Sequence, residues 1–131
     1  MSKKILIMAG GTGGHIFPAL SISKELSKRG ARVEWLGGKK SMERNLVPSH
    51  GIKFHGVYTS GIRGKKLIVI LKALFLLSVG FIQTMFVFIK YRPNAVIGMG
   101  GYASGIGGLI AKIFFVPLFL HEQNTIPGST N

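Results

Sequence analysis

The sequence predicts an α/β fold, a Rossmann-like parallel sheet with flanking helices. Three observations predict it. Short apolar runs alternate with longer segments of mixed polarity along the whole chain, the pattern of repeated strand–helix units. The first run, Ile5 to Ala9, is apolar without polar alternation and is stopped by glycine, as a strand covered on both faces requires. Glycine-rich or polar turns follow the runs where a strand would hand over to a helix.

Taken in order, "KKILIMA" (3–9) reads as a buried strand stopped by glycine. "IFPALSISKELSKRG" (16–30) reads as a helix. Leu20, Ile22 and Leu26 lie on one side, Pro18 suits the first turn and Gly30 marks the stop. "ARVEWLGG" (31–38) is a second strand, and "SMERNLVPSHG" (41–51) a short helix opened by Ser41 and stopped near Pro48. "IKFHGVYTS" (52–60) is a third strand, followed by the basic loop "GIRGKK" (61–66) and a long apolar stretch from Leu67 to Tyr91. "NAVIGMGG" (94–101) is a fourth strand, "YASGIGGLIAKIF" (102–114) a helix and "VPLFLHEQN" (116–124) a fifth strand. In a 3-2-1-4-5 strand order the first and fourth strands flank the switch point, and ligands bind beyond the carboxyl ends there.

The 131 residues suit one domain and are 47% hydrophobic. There is no cysteine, so disulfides and thiolate chemistry are excluded, and a reducing compartment fits. The apolar run at the start is too short for a secretory signal, so none is expected. Seventeen Lys and Arg face four acids, a formal charge of +13, which points to an anionic partner. The acids are Glu25, Glu34, Glu43 and Glu122, with no Asp. Hard-cation sites need several oxygen ligands, so no metal or other cofactor is expected.

Three strand ends carry unusual sequence: "GGTGGH" (10–15), "GMGGYASG" (98–105) and "HEQN" (121–124). Glycine lets backbone approach a ligand, and successive N–H groups at a helix N-terminus attract anions. "GGTGGH" thus reads as a phosphate cradle, as a loop making room for a sugar, or as a plain tight turn. Two such loops at neighbouring strand ends favour a ligand site. Dinucleotide spacing fails, because Ile16 stands where GxGxxG from Gly11 needs glycine, and no acid ends the second strand. A Walker A motif is absent. His15 falls at the mouth of the crevice, placed as a general base or a phosphate contact. Glu122 is expected to be the only acid near that crevice, either a carboxylate for catalysis or a brace for the loops. His50 and His55 read as structural or surface residues.

"GGTGGHIFPAL", "GMGGYASG" and "HEQN", in this order, together with "WLGGKKSMERNLVPSHGI" and "SGIRGK", closely resemble the MurG family of bacterial glycosyltransferases. The resemblance covers essentially the whole chain. It implies the N-terminal half of a GT-B enzyme that moves N-acetylglucosamine (GlcNAc) from UDP-GlcNAc onto lipid I in peptidoglycan synthesis. Residues 1–131 would be the acceptor-binding domain, with the donor-binding C-terminal domain not among them. By resemblance, Thr12, Gly13, Gly14 and Asn124 touch the donor. Gly10, Gly11, Gly100, Gly101, Tyr102 and Ser104 belong to the loops facing the acceptor diphosphate. His15 and Glu122 match the family's catalytic candidates. Ile106 stands where the family commonly has proline, a change confined to a helix start.

The implied reaction is inverting. An acceptor hydroxyl attacks the anomeric carbon, His15 or Glu122 takes the proton, and helix N-termini and loop N–H groups stabilise the departing diphosphate. This chain alone is expected not to transfer sugar. The expected partners are a lipid-linked diphosphate, UDP-GlcNAc and an anionic membrane surface, with no nucleic acid. The expected location is peripheral, on the cytoplasmic face of the bacterial membrane. Ala73 to Ile89 has no charge, and Lys65, Lys66, Lys72, Lys90 and Arg92 flank or interrupt the longer stretch. A crossover helix there would pack one face on the sheet and offer the other to a bilayer. The rival reading is a membrane-surface module without catalysis. A nucleic-acid binder is disfavoured, since no basic–aromatic platform is present.

Overall fold

The computed structural model describes residues 3–10, 13–58, 66–100 and 102–121, without the side chains of Tyr102, Ala103 and Ser104. The elements are β1 (Lys4–Met8), α1 (Gly13–Lys28), β2 (Arg32–Gly38), α2 (Glu43–Leu46), a 3₁₀ turn (Pro48–His50), β3 (Lys53–Val57), α3 (Leu67–Tyr91), β4 (Ala95–Gly98), α4 (Tyr102–Ile113) and β5 (Leu118–Leu120). The strands form one parallel sheet, as the sequence predicts, in the order β3-β2-β1-β4-β5 supposed above in locating the switch point. Met8 lies level with Leu36 on one side and Gly98 on the other. The switch point therefore falls between the ends of β1 and β4.

Alternation along the strands sorts the core into two layers, because successive side chains point to opposite faces. Ile7, Ala9 and Trp35 pack with Ile16 and Ala19 of α1 and with Val47 after α2. Leu6, Met8, Leu36 and Val96 pack on the other face with Phe88 and Tyr91 of α3 and Ile110 of α4. Each large aliphatic side chain among them, fully buried, contributes about 1.5–3 kcal/mol. Trp35 also donates its indole N–H to the Ala9 carbonyl at 2.9 Å, tying β2 to the loop after β1.

Two helix starts differ from the expectation. α1 begins at Gly13, so Pro18 lies in its second turn and gives the Gly14 carbonyl no N–H. The glycines fold into the first turn themselves instead of forming only a loop. α2 begins at Glu43, and Met42, not Ser41, precedes it with no side-chain cap. Gly30 stops α1 as expected. At φ 89° it donates to Ser27 O while Ala31 N–H reaches Leu26 O, which closes a Schellman turn.

α3 is the crossover from β3 to β4. Ala73, Gly80, Thr84, Phe88 and Tyr91 form its buried stripe. Tyr91 anchors its end, with the single proton of its hydroxyl shared between the carbonyls of Ile5 at 3.1 Å and Arg32 at 2.9 Å. Most of the remaining surface is apolar and open, including Leu71, Phe75, Ile82, Phe86 and Ile89. The helix is long and apolar enough to cross a membrane, but its C-terminal half is built into the sheet packing.

Candidate functional site

The chain leaves β1 and β4 side by side, with Met99 N–H donating to Met8 O at 2.8 Å. α1 and α4 both start just beyond this point. The first turn of neither helix contains an acid, so two partly positive N-termini open at the same end of the sheet.

His15 sits in the first turn of α1 and is half-buried. Its Nδ1 is 3.3 Å from the Gly10 carbonyl oxygen. A carbonyl can only accept, so this hydrogen bond requires the proton on Nδ1. In the neutral ring the lone pair then belongs to Nε2. The Nε2 edge lies against Gly100, the residue that turns the chain after β4. Gly100 has φ +109°, which side chains rarely adopt. A Cβ there would also stand 2.8 Å from His15 Nε2 and 3.0 Å from Cδ2 and Cε1. The ring thus bridges the two glycine-bearing loops, and the absent side chain of Gly100 gives it room.

The structure brings together Gly10, His15 and Gly100 from the residues expected to form the site. Gly13 and Gly14 form the start of α1, with Gly14 exposed. Tyr102 and Ser104 fall in the first turn of α4, their side chains outside the description. Gly11, Thr12, Gly101, Glu122 and Asn124 lie outside the described residues.

One expectation is corrected. Glu122 is not the only acid near the crevice, because Glu43 lies beside Gly10. Glu43 is fully buried and accepts the Gly38 N–H at 2.8 Å. Its carboxylate fills the space where a side chain on Gly10 would stand. The signal was present in the sequence: "SMERN" follows the second strand at the same sheet end as "GGTGGH", and the adjacency of the first two strands places them together.

The other described acids sit elsewhere. Glu25 pairs with Arg29 at 3.2 Å on the exposed side of α1. Glu34 accepts from Arg32 at 2.8 Å and meets His55 Nε2 at 2.6 Å. That cluster gathers with Tyr91 around a cavity of about 340 Å³ lined by Lys4, Lys53 and Lys90 as well. It lies toward the amino ends of the strands, away from the two loops. His50 is exposed, with Nδ1 3.0 Å from Leu46 O. His50 thus lies at the surface, and His55 is paired with Glu34.

A parallel sheet with an anion-attracting switch point and no dinucleotide fingerprint is the class of fold used by GT-B glycosyltransferases. The comparisons agree. The model of the glycosyltransferase family 28 N-terminal domain matches residues 5–131, and the chain belongs to that family. A UDP-N-acetylglucosamine--N-acetylmuramyl-(pentapeptide) pyrophosphoryl-undecaprenol N-acetylglucosamine transferase from Vesicomyosocius okutanii is 55% identical over 99% of this chain and 38% of its own length. The protein of the same name from Haemophilus ducreyi is 50% identical over 100% of this chain and 37% of its own. The crystal structure of MurG from Acinetobacter baumannii superposes with a TM-score of 0.86 at 38% identity, over 98% of this chain and 38% of that one. A Streptomyces glycosyltransferase solved with thymidine diphosphate shares the fold at TM-score 0.70 and 17% identity. The chain thus spans well under half the length of the relatives it matches.

Proposed function

We propose that this chain is the acceptor-binding N-terminal part of an inverting N-acetylglucosaminyltransferase that converts lipid I to lipid II. The observation that carries this reading is His15, held by Gly10 with its Nε2 edge turned toward the loop after β4. In the reaction, an acceptor hydroxyl gives its proton to Nε2 as its oxygen forms a bond to the anomeric carbon of GlcNAc. The bond from that carbon to the UDP oxygen breaks, and the electron pair leaves with the diphosphate. The N-termini of α1 and α4 supply positive potential for the phosphates. Glu122 is the alternative base. By resemblance, Thr12, Gly13, Gly14 and Asn124 reach the donor, while Gly10, Gly11, Gly100, Gly101, Tyr102 and Ser104 face the acceptor diphosphate. Most donor contacts fall to the remaining length of the enzyme.

The reading includes peripheral attachment to the cytoplasmic face of the membrane. The open apolar stripe of α3 supports it, bordered by Lys66, Lys72, Lys90 and Arg92. Such a helix lies in the interface with its cations near anionic headgroups. This face would also bring a lipid-borne substrate to the crevice.

The test mixes the chain with UDP-GlcNAc and a short-chain lipid I analogue, with and without the separately produced remainder of the enzyme. The expected result is binding of the analogue by the chain alone and transfer only on mixing. Robust transfer by the chain alone overturns the division of labour. Failure to bind the analogue overturns the acceptor assignment.

A further inference from the structure

We propose that Glu43 is a positioning residue for His15. Its buried carboxylate holds the loop after β1 so that the Gly10 carbonyl fixes the imidazole with the proton on Nδ1. The catalytic meaning of this coupling rests on the reading of His15 as a base, but the coupling itself does not.

The geometry is a relay of short contacts. Glu43 opens α2, a helix of only four residues that contributes little stability of its own. Yet its side chain is completely buried, and a carboxylate is costly to bury unless it is well bonded. The surroundings are shaped for it by glycines at the ends of two strands. Gly38 donates its N–H at 2.8 Å. A Cβ on Gly37 would stand 2.7 Å from Glu43 Cγ, and one on Gly10 would collide with the carboxylate. The carboxylate is therefore clasped between the end of β2 and Gly10. On its other side, Gly10 offers its carbonyl to His15 Nδ1 at 3.3 Å. Glu43 thus touches the residue that sets the tautomer of His15, and a shift of Gly10 would be felt there first.

A purely structural role predicts something different: loss of Glu43 would loosen the fold as a whole or only the turn at Gly38. Histidine tautomers separate the two. The chain is prepared with ¹⁵N-labelled histidine, and the ring resonances of His15 and His55 are followed in the wild type, Glu43→Ala and Glu43→Gln. His55, bonded to Glu34 toward the other end of the sheet, reports on global folding. In the wild type His15 is expected as a single tautomer protonated at Nδ1. In Glu43→Ala its Nδ1 signal should move toward the unprotonated range while the His55 signals stay in place. Should Glu43→Ala fail to fold, Glu43→Gln carries the test. It keeps the shape and leaves an oxygen to accept the Gly38 N–H at the position nearest Gly10, but it loses the charge and puts an amide N–H₂ at the other oxygen's place, and it should displace His15 selectively. Unchanged His15 signals in a folded variant overturn the proposal, as does a change that His55 shares equally in a folded variant. Neither readout depends on turnover, so failure of the base reading and failure of the coupling are distinguishable.

Discussion

Gly100→Ala tests the contact on which the site is built. Two separate costs apply. The backbone at φ +109° strains any side chain, at about 1–3 kcal/mol. The added methyl would also stand 2.8 Å from His15 Nε2, and such overpacking costs about 1–3 kcal/mol more. Together they predict a loss of about 2–6 kcal/mol and a melting temperature lower by on the order of 10 °C. His15→Ala removes the ring, and with it the second cost alone. Gly100→Ala in that background should therefore cost only the backbone part, leaving a coupling of about 1–3 kcal/mol between the two sites. Urea unfolding of the wild type, both single variants and the double variant measures this directly. A coupling below about 0.5 kcal/mol, the usual margin for independent sites, would refute the His15–Gly100 contact. A Gly100→Ala variant as stable as the wild type would refute the left-handed turn as well.

On α3, Phe88 is 3% exposed and Phe86 is 66% exposed. Phe88→Ser should cost about 3–5 kcal/mol in urea unfolding, whereas Phe86→Ser should fold normally and bind anionic vesicles more weakly in a sedimentation assay. Equal vesicle binding by Phe86→Ser and the wild type would remove Phe86 from the membrane face. Burial, followed by the nearby charge of Glu34, pushes the Tyr91 phenol from 10.0 up to about 12. The folded state favours the protonated phenol, so its contribution to stability is full below pH 10 and declines between pH 10 and 12. Tyr91→Phe should flatten stability over that window while lowering it at neutral pH through loss of the hydroxyl's hydrogen bonding to the Ile5 and Arg32 carbonyls. An unchanged slope between pH 10 and 12 would show that Tyr91 is not the titrating group.

The existence and sequence of strands and helices were legible because apolar runs and glycine stops report local choices that burial then enforces. That α3 packs one face on the sheet and leaves apolar side chains open on the other was also legible, because its apolar residues are too many for one packed face. The start of α1 was not, because the pattern treats glycines as loop formers, while here Gly13 and Gly14 accept helical geometry beside a packed strand end. Glu43 was missed as a crevice residue for a different reason. The adjacency of the first two strands places "SMERN" at the right sheet end, but nothing local in it says that the Glu43 side chain turns inward to Gly10 and Gly38 instead of out to solvent. His15 was legible as a site residue from its position, but not its hydrogen bond to Gly10 nor its seat against Gly100. Those need the two loops in space.

The most direct measurement is turnover of UDP-GlcNAc and a lipid I analogue by the complete enzyme carrying this chain, wild type against His15→Ala. The proton transfer assigned to Nε2 predicts a fall in kcat by a factor of about 10²–10⁴, with the KM for UDP-GlcNAc nearly unchanged. Wild-type turnover in His15→Ala would contradict the assignment and leave Glu122 as the base.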